Sequence, residues 1–396
     1  MKPLLPHGNL IFQRPTVALS VQFAAARFPF IITALVLATI IGLSIPRASG
    51  AQTNSAPDLV WYDGRELCVE GKGWADTKHF YDRLPARAEG TVLPAVWGLS
   101  QDSAGMCVRF ETAATEIWAR WKLRKDQLAM PHMPATGVSG VDLYVKEKGK
   151  WRWLANGRPL KPLEEKVLVT GLTPKKREFV LYLPLYNGVD EVKLGVPRGS
   201  TVAPLPARTR ERKPIVFYGT SILQGGCASR PGMAYPAILG RRLDWPTINL
   251  GFSGSAHSEP EIAALLAELD PAVYVLDPMA NMTVEMVVQR IEPFVLTLRK
   301  AHPLTPIVLV ENAKYPDEQF LAAKREKLLE ANVRLREVFD RLTRAGQKRI
   351  YYLRAEQLLG DDGEATVDGS HPTDLGFLRM AHEIEPLLKQ VLRGSR

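Results

Sequence analysis

The 396-residue chain has three cysteines, too few for a scaffold built on disulfides. It has no His-x-His, His-Glu-x-x-His or Cys-x-x-Cys, so no motif asks for a metal, and no cofactor is expected. A zinc knuckle, an RNP-like run and a basic helix are also missing, which argues against nucleic acid as a partner. No internal repeat is visible. Gly and Pro, at 30 each, are too few and too scattered for a collagen-like or low-complexity chain. What remains is a composition close to that of soluble globular proteins, 46% hydrophobic and 23% charged, and long enough for two domains.

One more absence is local, because the first 51 residues contain no acid. Within them Phe28 to Ile45 is an uncharged apolar run, preceded by Lys2, Arg14 and Arg27 and followed by Pro46, Ala48, Ser49, Gly50 and Ala51. This is the pattern of an export signal with a cleavage point after Ala51. An uncleaved N-terminal anchor is the alternative, since the run is at the short end for a hydrocarbon core of about 30 Å. In either case the body of the protein is expected to be exported, whether periplasmic, secreted or at the cell surface, and a membrane would be touched only through this anchor. Part of the formal charge of +9 belongs to this segment, and part to Arg208, Arg210, Arg212 and Lys213, which read as a solvated linker. In an oxidising compartment Cys68 and Cys107 are candidates to pair, leaving Cys227 as a small buried residue.

Residues 197–213, with Pro197, Pro204 and Pro206 and no apolar periodicity, divide the rest of the chain. Before them, over 57–196, Met106/Val108/Phe110, Val141/Leu143/Val145 and Phe179/Leu181/Leu183 alternate with period two. With turn signals at Asn156-Gly157 and Asn187-Gly188, this predicts an antiparallel β-sandwich. Seven of the eight tryptophans precede the divide. After it, over 214–396, short apolar runs (Ile215–Tyr218, Thr247–Leu250, Val273–Leu276, Ile307–Val310, Tyr351–Leu353) alternate with helical stretches (259–269, 284–300, 317–345, 373–392). That pattern predicts an α/β domain around a parallel sheet, with ligands bound beyond the carboxyl ends of the strands.

The chemistry-bearing residues fall at those ends. Ser221 follows the first strand in Gly219-Thr220-Ser221; taken alone it reads as a helix N-cap. Asn249 to Gly254 is a glycine-rich turn able to offer backbone N–H groups, and Asn281 follows the third strand. Asp368-Gly369-Ser370-His371-Pro372 opens the last helix. Residues three apart in a turn share one side, so Asp368 can hold one nitrogen of His371 and leave the other to take a proton from Ser221. Pro372 restricts the backbone of His371.

These four blocks, in this order, resemble those of the SGNH (GDSL-like) hydrolases. Gly140-Val141-Asp142-Leu143-Tyr144 resembles the GxDLY signature of a β-rich domain that precedes one branch of that family. The resemblance implies a flavodoxin-like three-layer α/β/α domain behind the β-sandwich, and a serine esterase working through an acyl-enzyme. It implies Ser221 as nucleophile, His371 as general base and Asp368 as its orienting acid. The oxyanion donors would be the backbone N–H groups of Ser221 and Gly254 and the side chain of Asn281. Thr220 stands in place of the aspartate of the GDS block, and Ala280 and Met282 flank Asn281 in place of glycine and aspartate. The G-x-S-x-G elbow of the α/β-hydrolases is missing, since Gly251-Phe252-Ser253-Gly254 is followed by Ser255. His257 reads as a surface or capping residue, and His132 as a minor part of a wall between the domains. The expected substrate is an acylated small molecule or polysaccharide, with acetyl esters of carbohydrate favoured and Trp151 and Trp153 more often core than sugar platform. The rivals are a lipase or phospholipase, and a noncatalytic glycan-binding surface protein with a decayed hydrolase domain.

Overall fold

The computed structural model describes residues 58–393 apart from residue 211; residues 1–51, where an export signal or anchor is expected, lie outside the described residues. Ahead of the α/β half run β1 (Leu59–Asp63), β2 (Cys68–Glu70), β3 (Cys107–Thr112), β4 (Ile117–Leu123) and β5 (Val141–Glu147). They continue with β6 (Lys150–Gly157), β7 (Leu163–Val169), β8 (Arg177–Tyr182), β9 (Val189–Pro197) and β10 (Val202–Pro204). Two antiparallel sheets result, ordered β1-β9-β4-β7 and β10-β3-β8-β5-β6, with β2 added to β3. The period-two pattern explains their packing, because every second residue turns to the same face. Ile117, Ala119, Trp121 and Leu123 of β4 meet Val108 and Phe110 of β3 and Phe179 and Leu181 of β8 in one core. Phe110 and Phe179 stack with ring centroids 5.3 Å apart.

Three local expectations are corrected here. Asn156-Gly157 is the end of β6 rather than a turn, and the hairpin turns at Lys148-Gly149. Gly157 is needed for close packing: a Cβ there would stand 2.7 Å from the Trp121 ring. The solvated linker is partly built into the sandwich, since Val202 pairs with Thr112 and the Arg208 guanidinium donates to the buried Glu70 carboxylate at 3.0 Å. Glu70 also accepts from Arg109 at 2.9 Å, so a carboxylate taken out of water has two cations around it. Cys68 and Cys107 lie on neighbouring strands but face Arg109 and Glu70 respectively, and both remain thiols.

The second half carries β11 (Ile215–Gly219), β12 (Thr247–Gly251), β13 (Val273–Asp277), β14 (Ile307–Val310) and β15 (Ile350–Leu353). All pairings are parallel, in the order β12-β11-β13-β14-β15, which is the flavodoxin-like 2-1-3-4-5 arrangement. The helices are α1 (Pro94–Ser100) and α2 (Ala135–Val138) in the first half, then α3 (Ser221–Gln224) and α4 (Tyr235–Leu243). They are followed by α5 (Pro260–Leu266), α6 (Val284–Ala301), α7 (Ala322–Arg344) and α8 (Asp374–Arg393). Residues of one parity along the strands, such as Phe217, Val275 and Val308, pack with α4 and α8. Those of the other parity, Tyr218, Leu276 and Leu309, pack with α5, α6 and α7. A sheet buried on both faces needs continuous apolar strands, which is why these five were readable as short hydrophobic runs.

The two halves share their cores. Trp74, Leu84, Val96 and Trp97 of the first half join the layer of α5 and α6, while Met133, Val138 and Leu185 join that of α3 and α4. Asp142 of the GxDLY segment is fully buried and works as a clamp between them. Its carboxylate accepts from Trp153 at 2.9 Å, Arg230 at 2.8 Å and the Gly232 N–H at 2.9 Å. Among the described residues no helix is long and apolar enough to cross a membrane.

Candidate active site

β11 ends at the switch point of the sheet, between β12 and β13, and delivers Ser221 as the first residue of α3. The cap of that helix is Thr220, whose side chain accepts from the Ile222 N–H, so the N-cap role that Ser221 could have held belongs to its neighbour. This also gives Thr220 a task at the position where the family carries aspartate. The Ser221 hydroxyl is free to turn outward, and its Oγ lies 2.9 Å from Nε2 of His371.

His371 is held from the other side. Its Nδ1 is 2.7 Å from Oδ2 of Asp368, while Oδ1 accepts from the N–H groups of Ser370 at 3.0 Å and His371 at 2.8 Å. The loop is closed by the Val367 N–H donating to the His371 carbonyl at 2.8 Å and by a bridge between Thr366 and Pro372. Burial alone would raise the Asp368 pKa, but the hydrogen bonds from His371 and Ser370 outweigh it and hold the carboxyl below its ordinary range. An ionised Asp368 accepts the proton of Nδ1, and the Nε2 lone pair then faces the Ser221 hydroxyl. The three side chains therefore form one continuous proton path from an alcohol to a base.

The turn from Asn249 to Gly254 runs alongside. Gly254 has φ +66, a left-handed conformation that glycine takes without strain, and it is exposed with open space beside its Cα. Asn281 ends a short 3-10 helix after β13 and its side-chain amide donates to the Phe252 carbonyl at 3.3 Å, which brings the third strand end to the same turn.

Several residues that sequence reasoning passed over hold this turn. Arg83, fully buried and lying over the Phe252 ring, donates to the carbonyls of Gly251 at 2.7 Å, Asn249 at 3.2 Å, Asp102 at 2.8 Å and Leu99 at 2.6 Å. Burial pushes its pKa down to about 10, which leaves it a cation at neutral pH. Gln224 accepts from the Ser253 N–H at 3.1 Å and donates to the Leu185 carbonyl at 3.0 Å. The Tyr186 hydroxyl donates to the Ser221 carbonyl at 3.2 Å. Arg83, Leu185 and Tyr186 come from the β half, so that half braces Ser221 and the turn beside it. In the sequence, Arg83 had only one signal, its place in a run with Tyr81 and Leu84.

His132 received little weight from the sequence, yet its ring centroid is 5.6 Å from that of His371. His257 is engaged with Glu259, Nδ1 to Oε1 at 3.2 Å. Cys227 is a buried thiol whose pKa is pushed up to about 12 by burial and then by the negative charge of Asp368.

The model of the GDSL-like lipase/acylhydrolase family matches residues 212–389, and that of the GxDLY N-terminus of SGNH-type esterases matches residues 59–202. A search among curated proteins returns no match. Among solved structures, a Bacteroides ovatus ATCC 8483 protein assigned as a GDSL-like lipase shares 35% identity over 85% of this chain and 98% of its own, with a TM-score of 0.81. A salicylyl-acyltransferase from a tetracycline biosynthetic pathway shares the fold at 19% identity, covering 84% of this chain and 97% of its own, with a TM-score of 0.69. An acetyl xylan esterase from the rumen bacterium Butyrivibrio proteoclasticus does so at 15% identity, covering 85% and 99%, with a TM-score of 0.53. The chain thus belongs to the GDSL-like lipase/acylhydrolase family, in the branch with a GxDLY domain ahead of the hydrolase domain, and is a hydrolase of ester bonds.

Proposed function

We propose that this esterase is exported and removes short acyl groups, acetyl above all, from carbohydrate through an acyl-enzyme. The observation that carries the reading is the path from Ser221 Oγ to His371 Nε2 and from His371 Nδ1 to Asp368, with distances of 2.9 and 2.7 Å. Ser221 Oγ attacks the ester carbonyl as its proton passes to His371 Nε2, and Asp368 stabilises the resulting imidazolium. The tetrahedral oxyanion is received by the N–H groups of Ser221 and Gly254 and by Nδ2 of Asn281. Collapse expels the alcohol, which takes the proton from His371. A water molecule, deprotonated by His371, then releases the acid and restores Ser221.

Acetyl carbohydrate is favoured by the shared fold with the acetyl xylan esterase. Trp151 and Trp153 do not add to it: Trp153 is tied to Asp142, and Trp151 is half-buried beneath Lys146. Export rests on the apolar run Phe28 to Ile45 and is checked by cell fractionation.

The test is hydrolysis of p-nitrophenyl acetate, butyrate and octanoate by the protein and by Ser221→Ala, with acetate release from acetylated xylan in parallel. The expected result is a preference for acetate, release of acetate from the xylan, and a loss of at least ~10⁴-fold in kcat in the variant. A preference for octanoate would favour the lipase reading. Equal rates for the two proteins would favour a glycan-binding protein without turnover.

A further inference from the structure

Next to the proton path stand two donors that the proposed ester hydrolysis does not use. His132 arrives from the segment between β4 and α2, and Cys227 from the loop after α3. One donor atom from each of His132, Cys227, Asp368 and His371 lies within 4.8 Å of the other three, and among the described residues this is the one group of His, Cys, Asp and Glu so gathered. Three segments distant in sequence converge here: residue 132 belongs to the β half, and residue 227 and the loop of residues 368 to 371 belong to the α/β half.

The donor types decide which ligand fits. Two imidazoles, a thiol and a carboxylate are the set that zinc takes in tetrahedral sites, with bonds of about 2.0 to 2.3 Å. Ligand atoms on such an ion stand roughly 3.3 to 3.8 Å from each other, so these four would close by about 1 Å. Magnesium and calcium require oxygen ligands in larger number, and one carboxylate among nitrogen and sulfur donors does not meet that need. His132 is exposed and the His371 side chain is 24% exposed, which opens the cluster to solvent, while Cys227 lies at its buried end.

We infer that His132, Cys227, Asp368 and His371 form a reversible inhibitory site for a thiophilic divalent cation, zinc in the first place. The inference rests on His371 being the general base of the proposed mechanism. Both nitrogens of His371 are already committed, Nε2 to Ser221 and Nδ1 to Asp368. A cation on Nε2 occupies the lone pair that receives the Ser221 proton. A cation on Nδ1 fixes the ring proton on Nε2, which then donates instead of accepting. Either mode stops turnover, and removing the cation restores it. Coordination takes the thiolate, so the Cys227 proton is released to the buffer as the ion binds.

The experiment uses the full chain and two readouts. Cobalt(II) added to the resting protein is expected to give a thiolate-to-cobalt charge-transfer band at one ion per chain. Zinc is expected to suppress p-nitrophenyl acetate hydrolysis at least tenfold and EDTA to restore it. His132→Ala and Cys227→Ser keep hydrolysis within about threefold of the parent, lose or weaken the band, and need at least about tenfold more zinc for half inhibition. His132 is exposed, so its variant tests the site without disturbing a buried position. Normal hydrolysis with no thiolate band, or zinc inhibition that survives both substitutions, overturns the inference and leaves the esterase reading standing. Absence of hydrolysis on every ester would instead sink the esterase reading, and the cobalt spectrum would still decide whether the site binds metal.

Discussion

Asp368 and His371 reach their geometry within one polar loop, through hydrogen bonds between residues two and three apart, whereas Ser221 sits in a frame drawn from the whole chain. The contact of Arg83 with Gly251 spans 168 residues, and that of Tyr186 with Ser221 spans 35. Exposure follows the same division: the Asp368 and His371 side chains are 38% and 24% exposed, and Ser221 is 8% exposed. A local loop can supply a base in the right tautomer by itself. Placing a hydroxyl and a turn of N–H groups against that base needs buried partners that the loop does not own, and here the β half provides them.

Substitutions at the two sides should separate these modes of construction. Asp368→Asn is expected to lower kcat by about 10⁴-fold with little change in folding stability, read by p-nitrophenyl acetate hydrolysis and urea unfolding of the same preparation. A large loss of stability would mean that the loop is not self-contained.

At the end of β13, Asp277 is buried, accepts from the Tyr235 hydroxyl at 2.8 Å, and has its pKa pushed up to about 7 by burial. Because the native carboxyl binds its proton more tightly than the unfolded one, this group makes stability fall as pH rises from about 4 to about 7, with the loss complete above that window. Asp277→Asn should remove that decline, a difference on the order of a few kcal/mol at pH 8 that vanishes near pH 4, measured by urea unfolding across the range. Parallel pH profiles for the two proteins would show that the carboxyl is ionised in the folded state.

Arg83→Met withdraws the donor from four carbonyls at once and is expected to cost about 3 kcal/mol in unfolding free energy, with a fall in kcat because the turn bearing Gly254 loosens. Unchanged activity would show that the β half braces stability alone. Asn281→Ala should lower kcat by roughly 10²-fold while KM stays within a factor of a few, as expected for a donor used in the transition state. Thr220→Ala is the smallest change, about 1 kcal/mol for a lost helix cap, visible as a shift of the urea midpoint.

The same division explains what could be read in advance. Strands β11 to β15 and helices α5 to α8 were legible because burial on both faces of a parallel sheet imposes apolar runs, and packing on one face imposes a 3.6-residue period. Asp368 and His371 were legible because their relation is a spacing of three. Helix α4 was not among the expected elements, since it has only nine residues and contains Pro236 and Gly240, which mask its apolar face. Asn156-Gly157 misled because a glycine required by the neighbouring Trp121 ring looks, in one dimension, like a glycine required by a turn. Arg83 and Gln224 were missed and His132 was given too little weight, since a polar residue looks the same in sequence whether solvent or a distant partner meets it.

The sequence by itself determined the order of layers, the family and the pairing of Asp368 with His371 in one loop, because those depend on periodicity and on spacings short enough to act within one turn. Only the tertiary structure decided that Thr220 caps the helix and frees Ser221, that a buried arginine of the β half holds the turn facing it, and that His132 and Cys227 meet beside His371. These arrangements depend on which surfaces lose water together when two halves pack, and that is a property of the folded chain and of no segment within it.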